Sequence, residues 1–166
     1  FDYTPFDAAQ RMLYEGPFLA ERKAVVDDVV RGHEAALHPV TAEILATAQD
    51  WTAVDAYPAI HKPAMLKREA RSAFERMDVM LLPTTPTIYR VAEVEADPIR
   101  LNARLGTYTN FVNLMEMCGT AIPAGFRRDG LPLGITILAP PFKDAVAATI
   151  ATAAQEKSGL PLGAAT

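Results

Sequence analysis

The sequence has 166 residues and a mass of 18.0 kDa, a length that suits one domain. Half of it is hydrophobic and 22% charged, which excludes disorder by composition and leaves enough apolar surface for a core. The 16 Lys and Arg against 20 Asp and Glu give a net charge of −4, which excludes the basic face of a nucleic-acid binder. A single cysteine, Cys118, excludes an internal disulfide framework and a cysteine zinc site, and points to a reducing, cytoplasmic setting. No run reaches the roughly 18 apolar residues of a membrane span, and no charged-then-apolar leader opens the chain. There are only two serines, Ser72 and Ser158, and the first residue is Phe1. Together these are read as marks of a piece of something longer.

In chain order, Thr4-Pro5-Phe6-Asp7 opens a helix by hydroxyl cap, proline in the first turn and an early acid. Gly16 stops it. Pro17 starts a second helix at once, with Leu19, Val25, Val26, Val29 and Val30 as its apolar stripe and Gly32 as its end. A third is expected from about Val40 to Ala48. The stretch from Thr52 to Met77 reads as helix, interrupted where Pro58 and Pro63 each remove an amide donor; its secure part is Ala64 to Met77. Val79-Met80-Leu81-Leu82 is a short, continuously apolar run, read as a strand buried on both faces. Thr84 to Asp97 is read as a loop with a brief strand near Ile88 to Val94. Asp97-Pro98 opens a short helix ending near Gly106, and another is expected from Thr109 to Cys118. Two apolar runs, Ala121–Phe126 and Leu133–Leu138, flank Arg127-Arg128-Asp129-Gly130, a turn signal that predicts a strand pair. A last helix runs from Lys143 to about Lys157. Three or four strands are a thin sheet, and a strand apolar on both faces normally has neighbours on both edges. The expected architecture is therefore the second part of a larger α/β domain.

The chemistry is first one of absences. Neither Gly-x-Ser-x-Gly nor Ser-x-x-Lys occurs, Ser72 sits in a charged helix and Ser158 at a helix end, and no glycine-rich phosphate loop is present. His33-Glu34-Ala35-Ala36-Leu37-His38 is one residue too long for His-Glu-x-x-His. A five-residue step turns the two imidazoles about 140° apart on a helix, so these are read as loop histidines and no metal is expected. Cys118, at the end of an apolar helix, reads as an inert thiol.

One constellation is more pointed. In Tyr14-Glu15-Gly16-Pro17-Phe18-Leu19-Ala20-Glu21-Arg22, a Gly-Pro corner can bring a phenol, a guanidinium and the free amides of a helix start together. That set suits a small carboxylate, which arginine binds with two parallel hydrogen bonds. The alternative is that Arg22 pairs with Glu15 or another surface acid while Tyr14 simply packs.

Three segments carry a family likeness. Tyr14-Glu15-Gly16-Pro17 with Ala20-Glu21-Arg22, Asp78 through Pro83-Thr84-Thr85-Pro86-Thr87, and Leu105-Gly106-Thr107-Tyr108-Thr109-Asn110-Phe111-Val112-Asn113-Leu114 resemble the C-terminal half of the amidase domain of allophanate hydrolases. The third continues through Ala121-Ile122-Pro123-Ala124-Gly125-Phe126 and Asp129-Gly130-Leu131-Pro132-Leu133-Gly134, elements shared by amidase-signature enzymes at large. Pro58 and Pro63 depart from the continuous helix expected there.

The resemblance implies an α/β fold in which residues 1–163 are the C-terminal portion of the amidase-signature domain, a mixed β-sheet covered by helices, with 164–166 beginning a tail. It implies hydrolysis of allophanate to ammonia and carbon dioxide, as in urea or s-triazine breakdown. The nucleophile is a serine relayed through a second serine to a lysine, with backbone amides as oxyanion hole. No position in this chain matches that motif, so no catalytic residue is assigned and the chain alone is expected to be inactive. The resemblance assigns substrate binding to Tyr14 and Arg22, a phenol and a guanidinium suited to a small anionic amide. It implies no cofactor and no metal, the N-terminal half of the same domain as partner, and a homodimer. Two other readings stay open: a different amidase-signature enzyme, such as a general amidase or an amidotransferase of the A type, and a non-catalytic interaction module.

Overall fold

The computed structural model describes residues 1–13 and 16–163. Four helices come first: α1 (Thr4–Met12), α2 (Phe18–Val30), α3 (Pro39–Ala46) and α4 (Ala53–Phe74). Strand β1 (Met80–Pro83) and the short helices α5 (Val91–Ala96), α6 (Pro98–Leu105) and α7 (Asn110–Leu114) follow. The chain ends in β2 (Cys118–Phe126), β3 (Pro132–Ala139) and α8 (Asp144–Ser158).

The strands pair in the order β1-β3-β2, antiparallel throughout. The predicted turn at Arg127–Gly130 joins β2 to β3. Gly130 adopts φ +81°, and Arg127 and Leu131 close the loop through a 2.8 Å backbone bond. Strand alternation then divides the core. Leu138 of β3 and Met80 of β1 pack with Phe6 and Ala9 of α1, Leu66 and Ala70 of α4, and Phe111 of α7. Ile137 and Ala139, one position off, meet Ala147 and Ala151 of α8 on the opposite face. The sheet is thus a layer between α8 and a helical block.

Several expectations need correction. Helix α4 runs unbroken through Pro58 and Pro63. Its start is secured by a capping box in which the hydroxyl and amide of Thr52 donate to Asp55 Oδ2 at 2.6 and 2.9 Å. Those bonds hold the Asp55 carboxyl below its usual range. Pro58 deprives the Val54 carbonyl of a partner, but both residues are exposed and water can take its place. The strand expected near Ile88 to Val94 is instead α5, opened where the Arg90 amide donates to Glu93 Oε2 at 2.7 Å. Helix α7 stops at Leu114, Glu116 turns to φ +56°, and Cys118 begins β2 rather than ending a helix. Its thiol is half-buried, 3.3 Å from the carbonyl of Pro140. Strand β1 is also not covered on both faces, since Leu81 is 57% exposed beside a buried Met80.

Candidate substrate groove

Tyr14 lies outside the described residues, as does Glu15, so the site is built from its other half. Gly16 is buried, and a Cβ there would sit 3.3 Å from the Met12 carbonyl. Any side chain there would press on that carbonyl and require it to shift by a few tenths of an ångström. Pro17 then takes the N-cap of α2, and the Ala20 amide donates back to the Pro17 carbonyl at 2.9 Å.

Arg22, in the second turn of α2, is half-buried and lines a groove of about 640 Å³ between α2 and α3. Leu19, Val25 and Val26 form one wall, and Ile44 and Leu45 of α3 the other, with Glu21 and Thr41 as the remaining polar lining. Along α2, Lys23 pairs with Asp27 at 2.8 Å, and Arg31, just past the helix end, pairs with Asp28 at 2.5 Å. The Gly16–Pro17 corner borders a second cavity of about 380 Å³ on the side of α1 and α4, where Asp7, Arg11 and Lys62 are the charged groups. Arg11 is held there by Asp7 at 3.0 Å. Arg22 and the corner therefore line different cavities. A guanidinium between apolar walls can hold a small anion by charge-assisted hydrogen bonds, and here the Glu21 carboxylate in the same lining opposes it. Thr41, Ile44 and Leu45 escaped the sequence reading, because a 3.6-residue stripe shows which face of α3 is apolar and not which helix it will meet.

The other family-like segments are built around close approaches. At Gly106 an added Cβ would collide with the side-chain amide of Asn110, whose backbone amide donates to the Gly106 carbonyl at 2.8 Å. At Gly134 an added Cβ would lie 2.9 Å from Thr84 Oγ1, the hydroxyl that shares a 3.0 Å hydrogen bond with that of buried Thr136. Thr84 is thereby locked onto β3, while the Thr85 hydroxyl donates to the carbonyls of Thr87 and Leu105 at 3.3 Å.

The two serines are occupied structurally: Ser72 Oγ donates to the Glu69 carbonyl at 2.9 Å and Ser158 Oγ to that of Gln155 at 3.0 Å. His38 Nδ1 accepts the Val40 amide at 3.3 Å and so caps α3. Among the described residues no group of three or more His, Cys, Asp or Glu is placed to hold a metal ion, and no helix is long and apolar enough to cross a membrane.

A helical block and an α8 layer around an antiparallel sheet, with a groove lined by both Arg22 and Glu21 on the helical side, make this an α/β segment. Residues 22–147 match the Amidase family, and the chain belongs to it. Urea amidolyase of Lachancea kluyveri is 37% identical over 145 residues, a match spanning 86% of this chain and 8% of that protein. Allophanate hydrolase of Kluyveromyces lactis superposes with a TM-score of 0.84 at 34% identity, over 92% of this chain and 25% of that one. The A-type component of the glutamyl-tRNA(Gln) amidotransferase of Geotalea daltonii is 41% identical over 71 residues, 42% of this chain and 14% of that protein. The chain thus spans a small part of the length of the relatives it matches.

Proposed function

We propose that this chain is the substrate-holding C-terminal half of an amidase domain that hydrolyses allophanate to ammonia and carbon dioxide in urea or s-triazine breakdown. The observation that carries the reading is Arg22 lining a mostly apolar groove beside Glu21 and Thr41, in a segment that superposes on an allophanate hydrolase over 92% of its length. Allophanate has a carboxylate at one end and an amide at the other. In this reading Arg22 takes the carboxylate with two parallel hydrogen bonds, and Tyr14 contacts the same small anion. The serine nucleophile, its relay serine and the lysine come from the N-terminal half of the domain, the partner this segment requires. The assembled enzyme is a cytoplasmic homodimer.

Ammonia release from allophanate tests this in the longer protein. Arg22→Ala should lower kcat/KM mainly through KM, by about 10- to 100-fold for loss of a charge-assisted pair worth about 1.5–3 kcal/mol. The purified 166-residue chain should release none. Unchanged kinetics in the variant, or turnover by the isolated chain, would overturn the assignment. The likeness to an A-type amidotransferase component favours one second reading, in which the amide hydrolysed is glutamine. Faster ammonia release from glutamine than from allophanate would select it.

A further inference from the structure

A second cavity shares no lining residue with the Arg22 groove. It has a volume of about 370 Å³ and lies where α4 meets the turn before β2. Its floor is apolar. Phe6 is fully buried and Met115 is 4% exposed, and the rings of Phe6 and Phe74 meet edge-on at 6.3 Å. Pro140 and Pro141, where the chain leaves β3, complete the apolar lining. Two rings and a thioether make a floor that favours another aromatic or aliphatic group.

The mouth carries four charged groups: Lys67, Arg71, Glu75 and Glu116. Two of them are committed to each other. Lys67 Nζ lies 2.6 Å from Glu116 Oε1, a bridge from α4 to the turn before β2. Arg71 and Glu75 are exposed and make no ion pair with each other or with any other described residue. Their order on the helix accounts for this, because a cation four residues before an acid is the weaker orientation of such a pair. Residues so spaced have Cβ atoms about 5–6 Å apart. An open guanidinium and an open carboxylate therefore stand one helical turn apart above an apolar floor.

We propose that this cavity binds a free α-amino acid with an aromatic or large aliphatic side chain. The α-carboxylate takes two parallel hydrogen bonds from Arg71, and the α-ammonium donates to the Glu75 carboxylate. Both groups branch from one carbon, which suits a cation and an acid one turn apart. The side chain enters between Phe6, Phe74 and Met115, and its burial supplies most of the affinity. Ion pairs at an exposed mouth add less energy and set the orientation. A peptide segment, from a second copy or from elsewhere in the domain, is the poorer occupant. Its interior residues can fill the floor but bring neither free α-group to the mouth.

Calorimetric titration of the longer protein with L-phenylalanine tests the site. Saturable binding at one site per chain is expected, with a rise in Tm on saturation. L-phenylalaninamide lacks the carboxylate and N-acetyl-L-phenylalanine the ammonium; each should bind about 5- to 20-fold more weakly. Glycine, without a side chain, should not bind measurably. Arg71→Gln should weaken L-phenylalanine by the same factor and remove the penalty of the amide, while keeping that of the acetyl derivative. Glu75→Gln should do the converse. Both side chains are exposed, so Tm without ligand and allophanate turnover should stay at the parent values. Absence of saturable binding overturns the proposal, as does equal affinity for the three derivatives or unchanged affinity in both variants. Binding by the 166-residue chain but not by the longer protein also overturns it, since the cavity is then filled by the rest of the domain. Substrate turnover enters none of these affinities, so failure of the allophanate assignment would be seen separately.

Discussion

Tyr3 shows how a single residue of this chain carries stability and titration together. Its ring stacks on Phe6 at 5.7 Å and meets Phe111 edge-on at 6.1 Å, while its hydroxyl is buried with no hydrogen-bond partner among the described residues. Burial, then the negative charge of Asp7 and of ionised Tyr108, pushes its pKa up to about 12 from an ordinary value of 10. The folded state therefore keeps a proton that the unfolded chain releases from about pH 10. Stability from this group is full below that pH, and it falls through the window from about 10 to 12. Allowing for partial solvent access, the loss should reach about 1–2 kcal/mol. In Tyr3→Phe the rings still pack and no orphan hydroxyl remains. Urea unfolding should find the variant equal to or about 1 kcal/mol more stable at neutral pH, with the part of the alkaline fall that belongs to Tyr3 gone. Arg22 belongs to this scale as well. Its residue type and its place after a Gly-Pro corner were legible in the sequence, but its neighbours Thr41 and Ile44, about twenty residues on, were not.

Among the elements, α4 tests how far local rules decide. Each proline removes one helical hydrogen bond, and the sequence alone predicts a break, yet 22 residues remain one helix. Leu66 and Ala70 pack in the main core and the Thr52–Asp55 box secures the start, so tertiary contacts outweigh two lost bonds. Pro63→Ala restores a donor to the Ala59 carbonyl and should raise stability by about 1–3 kcal/mol, measured by urea unfolding with the far-UV helix signal unchanged or larger. The β2–β3 hairpin is the opposite case. Asp129-Gly130 between two apolar runs was sufficient to foresee it, because a two-residue period and a turn glycine are local properties. The bulge near Gly125, at φ +117°, was not foreseen, since it answers to the register of the partner strand.

The whole molecule is held by two apolar clusters on opposite faces of one small sheet, and Phe111 stands at the centre of the larger. It is fully buried, 5.4 Å from Phe6 and in edge contact with Tyr3, and it ties α7 to α1. Phe111→Ala should cost about 3–5 kcal/mol, since a vacated aromatic site among α1, α4 and the sheet cannot collapse without moving all three. Chemical denaturation with an unchanged m-value is the measurement. A variant that left the midpoint where it was would mean that the cluster is not the keystone of the fold.

Composition, periodicity and turn chemistry by themselves determined the hairpin and the helical starts other than that of α5. The motifs determined membership in an amidase lineage, and the two serines the absence of a nucleophile motif within this stretch. These follow from steric and solvation preferences that act over a few residues. Tertiary structure alone decided that α4 survives its prolines, that residues 91–96 form a helix rather than a strand, that α3 rather than the Gly-Pro corner faces Arg22, and that Leu81 is left uncovered. Each depends on which surfaces meet, and burial free energy is set by neighbours distant in the chain rather than by any residue's own propensity.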